Sequence, residues 1–500
     1  MENFIILGSV ILLLALSFLV GIKSKNDDTS SGFLGSSKSF GPLMVALSGT
    51  AAVASGWMIV GFPANIYTSG NYMTSNALMA GAFALSYIFI GKKVRALAEV
   101  NDIATLGDLI QARYKSTSLR LVASLVLFLG CFAYLAAQIS AGASLFTYMF
   151  GWDTLTGSVI MFGVVILYVA IGGESAGIVS QAFQGAIMVV VGAIIIGIFF
   201  GQGGFAELSN LVAENNTVTG SNGVTHTFEP IMFSAFGTAT PAASMNYFLL
   251  AWLGTVCQPA ILTRMFALKN PRDLPKLAIQ TGVTQAIVSF FGIAMGWLVI
   301  IFVLSGRIDP LADPSTATWV LGEELGFFIQ VLLYTAAVAA IISSASMYLS
   351  IGASALSKDV LQCLGFKFDE KKQIKVSRVA IVFVGVASIL LAAFSSDTVA
   401  LLGSLGWATF MTLYIPLILI GLIWKKANKT GMLAAAIIAL VGNIIGMLLP
   451  LFVDIQWPFG LPWSVYLMAI TTFVGVYVSY LTYDEVRDAP AEKNIRALNI

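Results

Sequence analysis

Apolar runs of about 17 residues or more, the least that a helix needs to cross a bilayer, recur along the chain. They lie at 4–22, 42–69, 73–91, 121–149, 154–172, 176–200, 243–266, 277–305, 325–357, 376–394, 398–424, 430–452 and 463–482. Polar turns separate them, and the pattern predicts thirteen membrane-spanning helices. Two spans are interrupted. The second, 42–69, carries Ser48, Gly49, Thr50, Ser55, Gly56 and Pro63, and the seventh, 243–266, carries Gly254, Gln258 and Pro259. Proline removes a donor from the helical ladder and clashes with the preceding turn. In lipid, a broken ladder survives only where the freed backbone meets protein or a water-filled cavity.

A single Gly or Ser in such a helix more often serves close helix packing. Two clusters five spans apart say more. They open two successive five-helix blocks, spans 2–6 and 7–11, which is the layout of an inverted-repeat transporter with a midplane site. Span nine adds Ser343, Ser344, Ser346 and Ser350. A lone serine in a helix usually bonds back to its own turn, but adjacent hydroxyls offer oxygens on more than one face. That suits a hard cation wanting several oxygen ligands, with freed carbonyls of span two completing the set.

Composition agrees with a polytopic membrane protein: 58% of residues are hydrophobic, 10% are charged and the mean hydropathy is +0.89. With thirteen spans and the N-terminus outside, 25 of the 26 Lys and Arg fall on the inner side and only Arg307 falls outside. The first span has Glu2 before it and Lys23 and Lys25 after it, so it reads as an uncleaved span inserted N-end out. The expected organisation is an extra helix and internal loop at 1–41, a first five-helix repeat at 42–200, an external loop at 201–242, a second repeat at 243–424, two further helices at 425–482 and a disordered cytoplasmic tail at 483–500. The external loop holds the single histidine, His226, and a glycosylation-type triplet at Asn215; residues 99–118 read as an internal surface helix capped near Thr105. Cys131, Cys257 and Cys363 show neither disulfide nor zinc spacing.

Glu174 is the carboxylate nearest to membrane depth, in an expected internal turn between spans five and six, and reads as a solvated turn residue in preference to a proton relay. Gly173 to Gly177 matches a G-x-S-x-G pattern. The strand-to-helix context is missing and His226 falls on the other face, so a hydrolase built on Ser175 is rejected.

The motifs LGSSKSFGPLMVALSGTAAVASGWMIVG, TLGDLIQARY, AYLAAQISAGASLF, YVAIGG, CQPAILTRMFALKNPRDL, the Ser343/Ser344 pair with LSKDV, and LGWATF occur in order over residues 30–430. In this order they resemble the sodium/solute symporter family, especially its sodium/proline branch. The resemblance implies a LeuT-like 5+5 inverted repeat with one extra N-terminal and two extra C-terminal helices. It further implies a sodium site of the Ala51, Ala54 and Ala340 carbonyls with the Ser343 and Ser344 hydroxyls, and substrate-facing aromatics at Trp57 and Tyr134, with Trp252 or a neighbour as a third. Ser48 and Gln258, in the interrupted spans, complete the candidate solute-binding residues. The chain departs from the family where Val53 and Gln181 replace carboxylates, which counts against a second sodium site on the fifth core helix; Gln184 is retained.

Sodium-coupled uptake of a small amino acid or monocarboxylate by alternating access is therefore expected. The rivals are a sodium-independent or Glu174-driven proton permease, and more remotely a sensor, for which the 18-residue tail leaves no signalling domain. Expected partners are the solute and the lipid bilayer, with no nucleic acid and no obligatory protein.

Overall fold

The computed structural model describes residues 2–23, 29–35, 38–394, 399–449, 457–458 and 461–499. Lys25, residue 398 and residues 450–452, which enter the expectations above, lie outside them. The described residues are almost wholly helical, with one antiparallel hairpin, β1 (Thr217–Thr219) and β2 (Thr225–Thr227). Nine of the described helices are long and apolar enough to cross a membrane, or ten if one bent pair is a single span.

The order begins with α1 (Glu2–Lys23), then the bent pair α2 (Pro42–Val53) and α3 (Trp57–Tyr72), inclined by 60°. Next come α4 (Met79–Phe89), α5 (Gly91–Val100), α6 (Leu106–Tyr114), α7 (Thr117–Phe150) and α8 (Thr154–Gly201). A second interrupted pair, α9 (Pro241–Val256) and α10 (Pro259–Ala267), leads into α11 (Leu274–Leu304), α12 (Phe327–Ser354) and α13 (Glu370–Phe394). The chain ends with α14 (Val399–Tyr414), α15 (Lys429–Leu448), α16 (Trp463–Thr482) and α17 (Glu492–Leu498).

Helix α8 has 48 residues. Straight, it would be about 72 Å long, over twice the roughly 30 Å hydrocarbon core. Gly173 divides it with φ 66° and ψ −167°, a conformation open to glycine, and its Cα lies so close to the Phe33 carbonyl that a Cβ would clash. The two halves match the fifth and sixth expected spans, joined by a kink where a turn was expected.

Burial follows from each helix's surroundings. Residues Phe291 to Val303 of α11 are buried without interruption, so this helix runs through the centre. Helices α13 and α16 instead expose Val379, Phe383, Val386, Phe473 and Tyr477 along apolar outer faces, as a lipid-facing helix does. The thin polar caps are local: Thr105 and Asp108 form a reciprocal capping box at the start of α6.

The tail differs from expectation. It forms α17, whose buried Asn494 donates to the Ala112 carbonyl at 2.8 Å and accepts from Asn101 at 2.8 Å, while Lys93 donates to the Leu498 carbonyl. Its polarity reflects docking against α5 and α6 by hydrogen bonds given to the Ala112 carbonyl and taken from Asn101 and Lys93, where disorder was expected.

Outside the core, His226 of β2 stacks on Tyr67 at 4.6 Å and lies 4.5 Å from Phe228. Burial holds its imidazole below the usual value of 6.5, although a hydrogen bond at Tyr67 works the other way. As pH falls through 6.5, the unfolded chain takes up the proton first, so stability is full above that value and is lost below it. We expect the melting temperature to drop as pH is lowered from about 8 to 5, and His226→Gln to reduce that drop. An unchanged slope in the variant would remove His226 as its cause.

Candidate functional site

The break between α2 and α3 is a local event with a tertiary consequence. Ala54 leaves the helix with ψ 110°, Gly56 returns to helical angles and a π-turn follows at Trp57–Gly61. Gly56 must be small, because a Cβ there would sit 2.3 Å from the Ala141 Cβ. Its freed N–H is not orphaned: it donates to Gln138 Oε1 at 2.7 Å.

The freed carbonyls face α12. Ser343 Oγ donates to the Ala51 carbonyl at 2.7 Å and approaches its own-helix Ala340 carbonyl at 2.9 Å. Ser344 Oγ donates to the Ala54 carbonyl at 2.7 Å and lies 3.4 Å from the Ala51 carbonyl. All five residues are 0% exposed. The structure thus gathers Ala51, Ala54, Ala340, Ser343 and Ser344 into one cluster of neutral oxygens. Two serines from α12 and two carbonyls from the α2 break are held together by hydrogen bonds that a cation would replace.

Beside this cluster is a cavity with about 480 Å³ of empty space, lined among others by Val53, Ser55, Trp57, Tyr134, Ser404 and Trp407. Among the described residues no charged side chain lines it. Tyr134 stands 6.0 Å from Trp407 and 4.4 Å from Tyr348, ring to ring. The Trp407 Nε1 is buried with no hydrogen-bond partner among the described residues.

Trp57 and Tyr134 therefore share a cavity wall, while three other candidates do not reach it. Ser48 Oγ donates to the Val45 carbonyl of its own helix at 3.1 Å. Trp252 turns toward Gly81 and Phe248. Gln258 ends the α9–α10 break as the extended N-cap of α10, fully buried, with neither end of its amide hydrogen-bonded among the described residues. Two further aromatics do line the cavity, Phe62 and Trp407, the latter inside the LGWATF motif; the Trp407 indole lies against Gly254, whose missing side chain makes the room.

Glu174 corrects the sequence reading. It is 4% exposed, where a solvated turn was expected, and pairs with Arg264 of α10 at 2.8 Å. Arg264 also donates to Gln181 Oε1, and Gln181 Nε2 donates to Ser346 Oγ at 3.1 Å. Arg264 and Glu174 are 90 positions apart, so only folding could reveal the pair. The G-x-S-x-G serine, Ser175, donates to the Gly32 carbonyl, and the one histidine of the sequence lies against Tyr67 and Phe228.

The sequence model described as the sodium:solute symporter family matches residues 33–439. The chain is 29% identical over 423 residues to the osmoregulated proline transporter OpuE of Bacillus subtilis (strain 168), covering 83% of this chain and 82% of the relative. It is 28% identical over 465 residues to a sodium/proline symporter of Staphylococcus aureus (strain bovine RF122 / ET3-1), covering 88% and 85%. In structure it resembles a Na+-coupled sialic acid symporter solved in a substrate-bound outward-open state, with a TM-score of 0.77, 19% identity and 98% coverage of both chains. That likeness is one of fold.

Proposed function

The chain belongs to the sodium:solute symporter family and couples solute uptake to sodium; from this we propose that sodium binds among Ala51, Ala54, Ala340, Ser343 and Ser344, and that the solute binds in the cavity of Trp57, Tyr134 and Trp407. The carrying observation is the direct bridge from the Ser343 and Ser344 hydroxyls to the Ala51 and Ala54 carbonyls. Sodium in that place clamps α12 to the α2 break and so favours one conformer over the other, the differential affinity that any coupled transporter needs.

The solute we propose is a small amino acid, such as proline, or a monocarboxylate. Val53 leaves the cavity wall without fixed charge, so a carboxylate entering it must be balanced by the nearby sodium. The aromatic walls receive the apolar part, and the orphaned Trp407 Nε1 and Ser404 hydroxyl offer donors. Gln258, with its unsatisfied amide at the second break, is the further polar group we assign to solute recognition as the two halves close. The names of the proline-carrying relatives support this choice.

Thirteen crossings are proposed: the ten apolar spans with the bent pair as one, the shorter helices Phe4–Val20 and Met79–Phe89, and α8 counted twice across Gly173. The inner-side excess of Lys and Arg then supports an N-terminus outside and a C-terminus in the cytoplasm. The breaks opening spans two and seven support a five-plus-five inverted repeat. A proton-driven permease has less to stand on, because the Glu174 charge is already matched by Arg264.

Purified protein in liposomes, supplied with labelled amino acids and short carboxylic acids, is expected to accumulate one of them under an inward sodium gradient and not under an equal potassium gradient. Equal accumulation in both would overturn sodium coupling at this site.

A further inference from the structure

Beyond Ser354, α12 runs on through the π-turn Ala355–Val360, and after a short loop α13 returns beside it from Glu370. Between these two limbs lies an open groove with about 1100 Å³ of empty space. Leu356, Val360 and Leu361 form one wall, and Val376, Val379 and Phe383 form the other. Positions 376, 379 and 383 are three and four residues apart, so they share one face of α13. Val379 is 70% exposed and Phe383 63%. In a helix that crosses a bilayer, such side chains meet lipid tails.

The two ends of the groove differ in kind. Lys372 and Lys375 line it where α13 begins, each four residues before a groove valine, Val376 and Val379, and so on the same face. Lys375 directly precedes the apolar run 376–394. The pair therefore stands where hydrocarbon gives way to headgroups. Both lysines are exposed, and among the described residues neither forms an ion pair. Lys372 instead rests over the Phe368 ring at 5.2 Å. The acids nearby are turned elsewhere: Glu370 accepts from the Ser30 N–H, and Asp359 of the π-turn accepts from Thr105 and Arg120.

The groove has a fixed floor. Ser357 Oγ and Ser377 Oγ lie 3.0 Å apart, and Gln373 Nε2 donates to the Ser357 carbonyl at 3.1 Å. These buried bonds tie the π-turn to α13, so the spacing of the two walls is set by the hairpin itself. A π-turn is a distortion frequent at functional sites.

Two unmatched cations at one end of an apolar trough fit an amphiphilic anion. A small free anion would leave the trough empty, and a lipid without net charge would leave the lysines unanswered. We propose that this groove binds one anionic glycerophospholipid, its phosphate between Lys372 and Lys375 and one acyl chain along Val360, Val376, Val379 and Phe383. Lysines beside a membrane helix attract anionic lipid in general; the trough turns that attraction into a defined position. The bound lipid braces the π-turn from outside, opposite the Asp359 contacts to Thr105 and Arg120. The site needs only that α12 and α13 cross a bilayer, whatever ion drives uptake.

The test is native mass spectrometry of the purified, delipidated full-length protein in detergent, titrated with equal amounts of dioleoyl phosphatidylglycerol and dioleoyl phosphatidylcholine. Wild type is expected to hold its first phosphatidylglycerol about tenfold or more tighter than phosphatidylcholine. Lys372→Gln/Lys375→Gln should lose most of that preference, and Val379→Trp, which fills the trough, should release the lipid with both lysines intact. Lys425→Gln/Lys426→Gln removes the same charge from another basic loop and should bind as wild type does; a monodisperse gel-filtration peak shows that each variant is folded. Glycerol 3-phosphate, a headgroup without tails, should not compete. Equal retention of the two lipids by wild type, a preference that survives in Lys372→Gln/Lys375→Gln, or unchanged binding in Val379→Trp would overturn the site. So would an equal loss in Lys425→Gln/Lys426→Gln, which would make the attraction a property of the whole basic face, or displacement by glycerol 3-phosphate, which would make it a small-anion site.

Discussion

Replacing Ser343 and Ser344 together by alanine is expected to abolish sodium-dependent uptake while leaving a folded protein. The two hydroxyls are two of five oxygens in the cluster, and among the described residues they alone join α12 to the carbonyls of Ala51 and Ala54. A hydrogen bond or ligand contact to a charged group is worth about 1.5–3 kcal/mol, and every 1.4 kcal/mol is about tenfold in affinity. Each serine should then account for roughly ten- to hundredfold in sodium affinity, and the pair should move half-saturation beyond workable concentrations. Ser344→Thr keeps the hydroxyl and should keep most of the coupling. Sodium-driven uptake that survives in the double variant with unchanged sodium dependence would sink the assignment.

The second large effect is expected at Arg264. Its guanidinium is 0% exposed and its ionic partner, Glu174, is also buried. Breaking such a pair by removing one member leaves a buried unpaired charge, at about 3–5 kcal/mol. Arg264→Ala should therefore lower the melting temperature in detergent sharply and reduce the yield of folded protein. A volume-matched neutral pair is often no worse than the ion pair it replaces. Glu174→Gln/Arg264→Met is accordingly expected to recover at least half of the lost stability, which a role for Arg264 through bulk or solute contact would not produce. The same variant should still accumulate solute under a sodium gradient; complete loss of transport with restored stability would assign the pair to the transport cycle itself.

The features legible in the sequence are those that act within one turn or one span. Pro259 and the Ser55–Gly56 step break their helices by removing a donor or a side chain, and the breaks appear at those positions. Thr105 caps its helix because the capping box needs only Thr105 and Asp108, three residues apart. Lipid also imposes length, so apolar runs announced nearly every helix, including the two halves of α8. The oxygen cluster was within reach of sequence reasoning because its members lie at a break and at a doubled serine.

Packing decided the rest. Which side chains share a cavity depends on how each helix is rotated against its neighbours: Ala251 lines the wall, while the adjacent Trp252 is aimed at Gly81. Trp407 joins the wall from another helix, above the gap left by Gly254. Gln138 satisfies the Gly56 N–H from 82 residues away, and Arg264 meets Glu174 from 90. In each case a buried polar group must find a partner, and the sequence alone determined that the group exists; the packed structure determined which distant residue meets it, because only folding brings those helix faces together.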